Sequence, residues 1–196
     1  MQTTEARTPP MDPNTSEADE VQLQHAVRQG DAYKDALMYM AEHVAKTGGL
    51  RPAGDYLVGY AIEDAEGMYV WTGGELEWRN PQVGNAHVEI AVCDGADGRF
   101  VPDLHITVGL VAPDGSTLGP YEHPLMWHPM LYHYARDWDL PADGAYTLCI
   151  HIDPPHFLRH DEVNGLRYRE PVEVEIPGVR IRRGKEPVDP PDGTAP

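Results

Sequence analysis

From Asp55 onward the chain is cut into short runs of Val, Ile, Tyr and Leu by the turn signals Asp94-Gly95, Asp97-Gly98, Pro113-Asp114-Gly115 and Ala142-Asp143-Gly144. Runs this short do not make amphipathic helices, whereas β-branched and aromatic runs bounded by Gly and Asp turns make antiparallel strands. The spacing predicts strands over 56–62, 74–78, 86–93, 103–111, 144–152 and 171–181, with a shorter one over 68–71. Alternation is clearest where Leu104, Ile106, Val108 and Leu110 interleave with His105, Thr107 and Gly109. With no helix-alternating pattern and no internal repeat, the fold class expected is an all-β sandwich.

The first part of the chain reads differently. Residues 1–18 are rich in Pro, Thr, Glu and Asp and are expected to be a disordered leader, as are the proline-rich residues 185–196. Between leader and sandwich, Asp31 is a candidate N-cap for a helix in which Tyr33, Leu37, Met40 and Val44 recur at helical spacing and which Gly48 and Gly49 end. A shorter helix over about 20–29 precedes it. The expected organisation is therefore a helical segment over 19–49 and one sandwich domain over 50–184.

Histidine and methionine placement carries the functional signal. In His87-Val88-Glu89-Ile90-Ala91-Val92-Cys93 the apolar Val88, Ile90 and Val92 take one face. His87 and Glu89 then leave the other face together, roughly 6.5 to 7 Å apart along the strand. Residues 122–133 are too broken by proline for a helix and read as a long loop with three His and two Met, among them Met126 seven residues before His133. A second proline-stiffened loop, 153–160, carries His156 and His160. Five of the ten histidines thus lie in two stiffened loops. Imidazole, thioether and carboxylate together hold copper or iron, so His87, Glu89, Met126, His133 and His160 form the candidate metal set.

Other candidates have a plainer reading. His105 and His151 sit on the polar faces of strands whose other face is core, and Met38, Met40 and His43 read as helix packing. His123, His128, His156 and Met130 form a candidate auxiliary cluster beside the main set. Cys93 and Cys149 are too few for a disulfide scaffold and are expected to be buried free thiols, although strands could bring them face to face.

Composition excludes several classes. Fifteen Lys and Arg against 32 Asp and Glu leave a net charge of −17, so a nucleic-acid or anionic-membrane surface is not expected. No run is long enough to span a bilayer, so direct membrane insertion is not expected either, and no basic and apolar leader opens the sequence, which as written reads as cytoplasmic. Neither a Ser-His-Asp order, a phosphate-cradling glycine loop nor a Cys-x-x-Cys motif is present, which leaves hydrolase, nucleotide and thiol-redox readings without support.

Taken in order, His-x-Glu on a strand, Gly98-Arg99-Phe100-Val101-Pro102-Asp103-Leu104, Met126 seven residues ahead of His133-Tyr134, and Arg159-His160 before Arg169-Glu170-Pro171 resemble the periplasmic ferrous-iron transport family. Its members are copper- and iron-binding proteins that accompany high-affinity iron uptake and include a treponemal-type metal-binding lipoprotein branch. The resemblance covers about 55–181. It implies an immunoglobulin-like β-sandwich, a homodimer, a periplasmic or extracytoplasmic setting and a membrane iron permease as partner. It further implies Cu(II) held by His87, His133, His160 and Met126, with Glu89 close enough to bind copper or an adjacent iron, and metal sites near the dimer interface, where Met126 would serve the partner's site. Two features depart from the family. Its acidic and glycine residues before the His-Tyr pair are here Trp127-His128-Pro129-Met130-Leu131-Tyr132, and a helical segment precedes Gly48.

Three function classes follow. The first is a non-enzymatic copper or iron protein of metal uptake or homeostasis. The second is a non-haem iron oxygenase, because His87, Glu89 and His160 also satisfy the order of a 2-His-1-carboxylate triad. The third is a metal-free sandwich that serves as an interaction module.

Overall fold

The computed structural model describes residues 8–186. The disorder expected over 1–7 and 187–196 lies outside the described residues. The remainder of the expected leader is tied down: Asn164 Oδ1 accepts from the Asp12 amide at 2.8 Å, the Thr15 hydroxyl donates to Asp161 Oδ2 at 2.6 Å, and Arg167 donates to the Pro9 carbonyl at 3.0 Å. Its polar composition supplies side-chain donors and acceptors for a loop rather than for solvent alone.

Two sheets form the sandwich. Strands β1 (Thr47–Ala53), β2 (Tyr56–Glu63), β5 (Ala86–Asp94), β8 (Leu125–Met126) and β9 (His133–Trp138) make one, in the order β1-β2-β5-β9-β8. Strands β6 (Ile106–Val111), β7 (Thr117–Glu122), β10 (Gly144–Ile152) and β11 (Val172–Ile181) make the other, in the order β11-β10-β6-β7. A separate hairpin pairs β3 (Met68–Thr72) with β4 (Glu75–Arg79). Inward residues of both sheets, among them Val58, Val88, Ile90, Val108, Leu148 and Ile176, are buried between them. The all-β sandwich expected from the strand pattern is the fold observed.

The N-terminal segment is a single helix. Helix α1 (Glu20–Tyr39) starts at Asp19, whose side chain accepts from the Gln22 amide while the Gln22 side chain accepts from the Asp19 amide, a capping box. Asp31 lies inside it and caps nothing. Gly30, which invites a break, is a close approach: a Cβ there would stand 1.8 Å from the Asp97 carbonyl oxygen. The helix runs into a π-helical turn, Met40–Val44, and Gly48 and Gly49 belong to β1 rather than to a helix end. A second core forms where Leu37, Met40 and Leu131 meet Ala61, Ala91 and Cys93 on the outer face of the first sheet. Gly59 of β2 makes this fit possible, since a Cβ there would stand 2.7 Å from Leu37 Cδ1. Covered on both faces, β5 is buried along its whole length.

Three further expectations are corrected. Strand β6 begins at Ile106, because Asp103 takes a left-handed conformation with φ of 59° that no strand continues through. The long loop expected over 122–133 is shorter, since Glu122 ends β7, β8 pairs with β9, and only 123–124 and 127–132 are irregular. Cys93 and Cys149 are both free and lie on the outward faces of different sheets, Cys93 buried and Cys149 exposed, so they do not face one another.

Candidate metal centre

Strand parity and sheet register assemble the site. His87 and Glu89 leave β5 on the outer face, as the alternation predicts, while Val88 and Ile90 enter the sandwich core. On one side of β5 the register sets Glu63 of β2 opposite His87; on the other it sets Asp137 of β9 opposite His87 and Ala135 opposite Glu89. Two residues before Ala135 on the same face, His133 reaches the same place. Met126 is the direct cross-strand partner of His133 from β8, so its side chain leaves the same face.

His87, Glu89 and His133 are all buried, and one ligand atom from each lies within 4.8 Å of the other two. Glu89 Oε1 is 3.8 Å from His87 Nε2 and 3.5 Å from His133 Nε2. Donors bound at about 2.0–2.2 Å to one ion stand roughly 3 to 4 Å apart, which these separations match. Both Nε2 atoms are buried without a hydrogen-bond partner. Glu66 Oε1 lies 3.3 Å from His87 Nε2 but outside hydrogen-bonding geometry. An orphaned buried imidazole nitrogen costs desolvation energy that nothing within the protein returns, and two aimed at one carboxylate fit a cation between them.

The surroundings fix which nitrogen is free. His87 Nδ1 donates to Asp137 Oδ1 at 2.8 Å, so in the neutral imidazole Nε2 presents its lone pair toward Glu89. This is the carboxylate–histidine arrangement that orients metal-binding imidazoles. Burial works against the charged form of His87, but the Asp137 hydrogen bond and the Glu66 and Glu89 carboxylates outweigh it and push its pKa up. For His133, burial and then the neighbouring His87 charge push the pKa down to about 4, so it is neutral and able to donate a lone pair at ordinary pH. Burial drives the Glu89 carboxyl up to about 7 against the opposing pull of His87. Glu63 and Glu66 are raised for the same primary reason.

A cavity of about 150 Å³ opens beside these groups, walled by Met40 and Val44 of the π-helical turn, by Glu63, Glu66, Glu89 and His133, and by His128, Met130 and Leu131 of the loop. Glu63, Glu66 and Asp137 are site residues that sequence spacing did not single out. The signal for Glu63 and Glu66 was the acidic run Glu63-Asp64-Ala65-Glu66 at a strand end, legible only once the β2–β5 register is known, and Asp137 enters through the β5–β9 register.

The remaining candidates separate. His160 is exposed and lines a different cleft, of about 690 Å³, with Tyr33, Phe100, Tyr132 and Arg159, so a single chain does not bring it to His87, Glu89 and His133. The 2-His-1-carboxylate group within one chain therefore pairs His87 and Glu89 with His133 instead. The auxiliary cluster divides three ways. His128 stands beside the site, its ring centroid 6.2 Å from that of His133, and Met130 lines the cavity. His123 is buried and accepts the Trp138 indole N–H at 3.4 Å, a core role. His156 faces another cleft with His105 and Asp153.

No protein-family model and no curated protein sequence matches the chain. Solved structures do. FetP of uropathogenic Escherichia coli strain F11, as isolated, superposes with a TM-score of 0.52 at 18% identity, covering 68% of this chain and 99% of that one. A copper-bound variant of the same FetP gives 0.57 at 19%, covering 68% and 95%. Copper-reconstituted P19 of Campylobacter jejuni gives 0.59 at 16%, covering 71% and 96%. At these identities the likeness shows the fold: this chain has the β-sandwich of the FetP and P19 proteins. Almost the whole of each relative is matched, while close to three tenths of this chain has no counterpart in them.

Proposed function

We propose that this chain is a copper-binding protein of metal uptake or homeostasis, with His87, Glu89 and His133 as its central donors. One observation carries the reading: two buried imidazole Nε2 atoms without partners converge on one carboxylate oxygen. Imidazole suits Cu(II), and the thioether of Met126, in register with His133, tolerates Cu(I). The carboxylates Glu63, Glu66 and Glu89 add hard donors that suit iron as a second metal. The copper named for the FetP and P19 structures supports the same choice of metal.

In this reading the protein works as a homodimer alongside a membrane iron permease in an extracytoplasmic compartment. His160 then joins a metal only if a second copy supplies it, in keeping with its exposure. No helix among the described residues is long and apolar enough to cross a membrane.

The test is copper binding by the purified chain, expected at about one ion per chain, with thermal stabilisation of about 2.7 kcal/mol when free metal is a hundredfold above Kd. His133→Ala should weaken binding by about a hundredfold or more and remove most of the stabilisation. A wild-type affinity in His133→Ala would remove the reading. The donor count also satisfies an Fe(II) oxygenase, through His87, His133 and Glu89. Oxygen consumption with Fe(II) and a panel of 2-oxo acids separates the two, and a chain that consumes none is not such an enzyme. An unchanged melting temperature with every metal would favour the metal-free interaction module.

A further inference from the structure

We propose that Met40 and Met130 complete, with His133, a thioether-rich Cu(I) subsite that the N-terminal helical segment closes over the imidazole–carboxylate centre. The inference rests on the copper reading above and goes beyond it in donor set, oxidation state and the part of the chain involved.

The cavity beside Glu89 has two chemically different walls. Glu63, Glu66 and Glu89 make one, a hard oxygen surface contributed by β2, the turn after it and β5. Met40, Met130 and Leu131 make the other, with His133 between the two. Cu(I) prefers soft sulfur and accepts imidazole, and it gains little from carboxylates. Two thioethers and one imidazole form a trigonal donor set of that preference. His133 brings the independent sign of a ligand, since its Nε2 is buried and unpartnered and its side chain is only 5% exposed. His128 is not counted as a donor: its Nδ1 accepts the Met130 amide at 3.1 Å, which leaves its proton on Nε2 and serves to hold the Met130 loop.

Met40 owes its position to the helical segment. The α-helix changes there to a π-helical turn, closed by the Ala45 amide donating to the Met40 carbonyl at 2.9 Å, and both ends of that turn, Met40 and Val44, wall the cavity. Such wide turns are rare and often mark functional positions. Met40 also packs with Leu37 and Leu131, which explains its burial but not the thioether, because leucine fills the same volume. The cavity of about 150 Å³ has room for an ion and is small enough to exclude bulky chelators.

Because Met and Leu are close in volume, the double variant Met40→Leu/Met130→Leu should fold and keep its melting temperature. Cu(I), supplied already reduced under anaerobic conditions, is titrated in competition with bathocuproine disulfonate, and Cu(II) is titrated separately. Cu(I) affinity should fall at least about tenfold in the double variant, since loss of ligands costs no less than loss of their supporting residues, while Cu(II) affinity holds. X-ray absorption of the Cu(I) form should show copper–sulfur scattering that survives Met126→Leu and falls by its Met40 and Met130 part in the double variant. An unchanged Cu(I) affinity beside normal Cu(II) binding overturns the subsite and leaves the copper reading standing. A wild-type chain that binds neither ion overturns both. If the double variant fails to fold, the single variants Met40→Leu and Met130→Leu decide, each expected to weaken Cu(I) alone.

Discussion

The outer faces of the two sheets carry nearly the same local pattern and meet different fates. On β5 it is His87-Val88-Glu89, and on β10 and the residue after it His151-Ile152-Asp153. On the first sheet a helix and a loop cover the pattern, so His87 is fully buried and its Nε2 finds no partner. On the second the face stays open. His151 there bonds Glu173 Oε1 at 2.6 Å through Nδ1 and Asp153 Oδ1 at 3.1 Å through Nε2, and His105 bonds Asp153 Oδ2 at 2.6 Å. Exposed imidazoles use up their lone pairs and protons on neighbouring carboxylates in high dielectric, where each pair is worth little. On the covered face His87 Nδ1 does this with Asp137, but the Nε2 atoms of His87 and His133 stay without a protein partner. Cover, supplied by elements remote in sequence, separates the candidate binding site from a solvated surface.

That contrast breaks most visibly under substitution of its imidazoles. His87→Ala and His133→Ala should each weaken copper binding by about a hundredfold or more, whereas His151→Ala and His105→Ala should leave it unchanged. Isothermal titration of the four variants checks this, and equal losses on both faces would dissolve the distinction.

Next in size is the cover itself. Leu37→Ala removes a fully buried side chain between helix and sheet and should cost about 2–5 kcal/mol in urea unfolding. His151→Ala should stay within about 0.5 kcal/mol of wild type. A Leu37→Ala chain of native stability would mean that the helix does not hold the face shut.

Proton competition sharpens the comparison further. Glu89 is protonated below about 7 because burial disfavours its charge, so an ion must displace a proton there. His133, pushed down to about 4, stays neutral and competes little. Copper affinity should therefore fall as pH drops through about 7, with His87, whose pKa is also raised, competing for protons beside Glu89, and Glu89→Gln should remove only the Glu89 part of this slope. The sign for stability is the reverse. A carboxyl whose folded pKa is raised above its ordinary value of 4.5 stabilises the fold below that value and loses this contribution as pH rises through about 7. Metal-free Glu89→Gln should accordingly gain on wild type in melting temperature between about pH 5 and about pH 8. Equal curves for the two would show that Glu89 ionises without cost.

How much of this was legible in sequence depended on distance along the chain. Strand parity is a local property, so the shared face of His87 and Glu89 followed from Val88, Ile90 and Val92 alone. The sandwich was equally readable from its turns. Glu63 and Asp137 were not, because only the registers Glu63↔His87 and His87↔Asp137 bring them in, and register depends on pairing between distant strands. Strands β7, β8 and β9 were hidden by the prolines around them; Pro120 sits in an edge strand, where a missing amide is tolerated. Asp31 misled in the same way, a good N-cap by residue type that lies inside α1, and Gly30 before it serves close contact with Asp97. The direction of the loop bearing His160 had no local signal, so residue type and resemblance placed that residue with the others without any register to test it.

The most direct measurement is anomalous diffraction at the copper edge from crystals soaked in Cu(II). A single strong peak between His87 Nε2, His133 Nε2 and Glu89 Oε1, with none beside His105 and His151, is the expected result. Density at the exposed face, or none at the buried one in a fully loaded crystal, would contradict it.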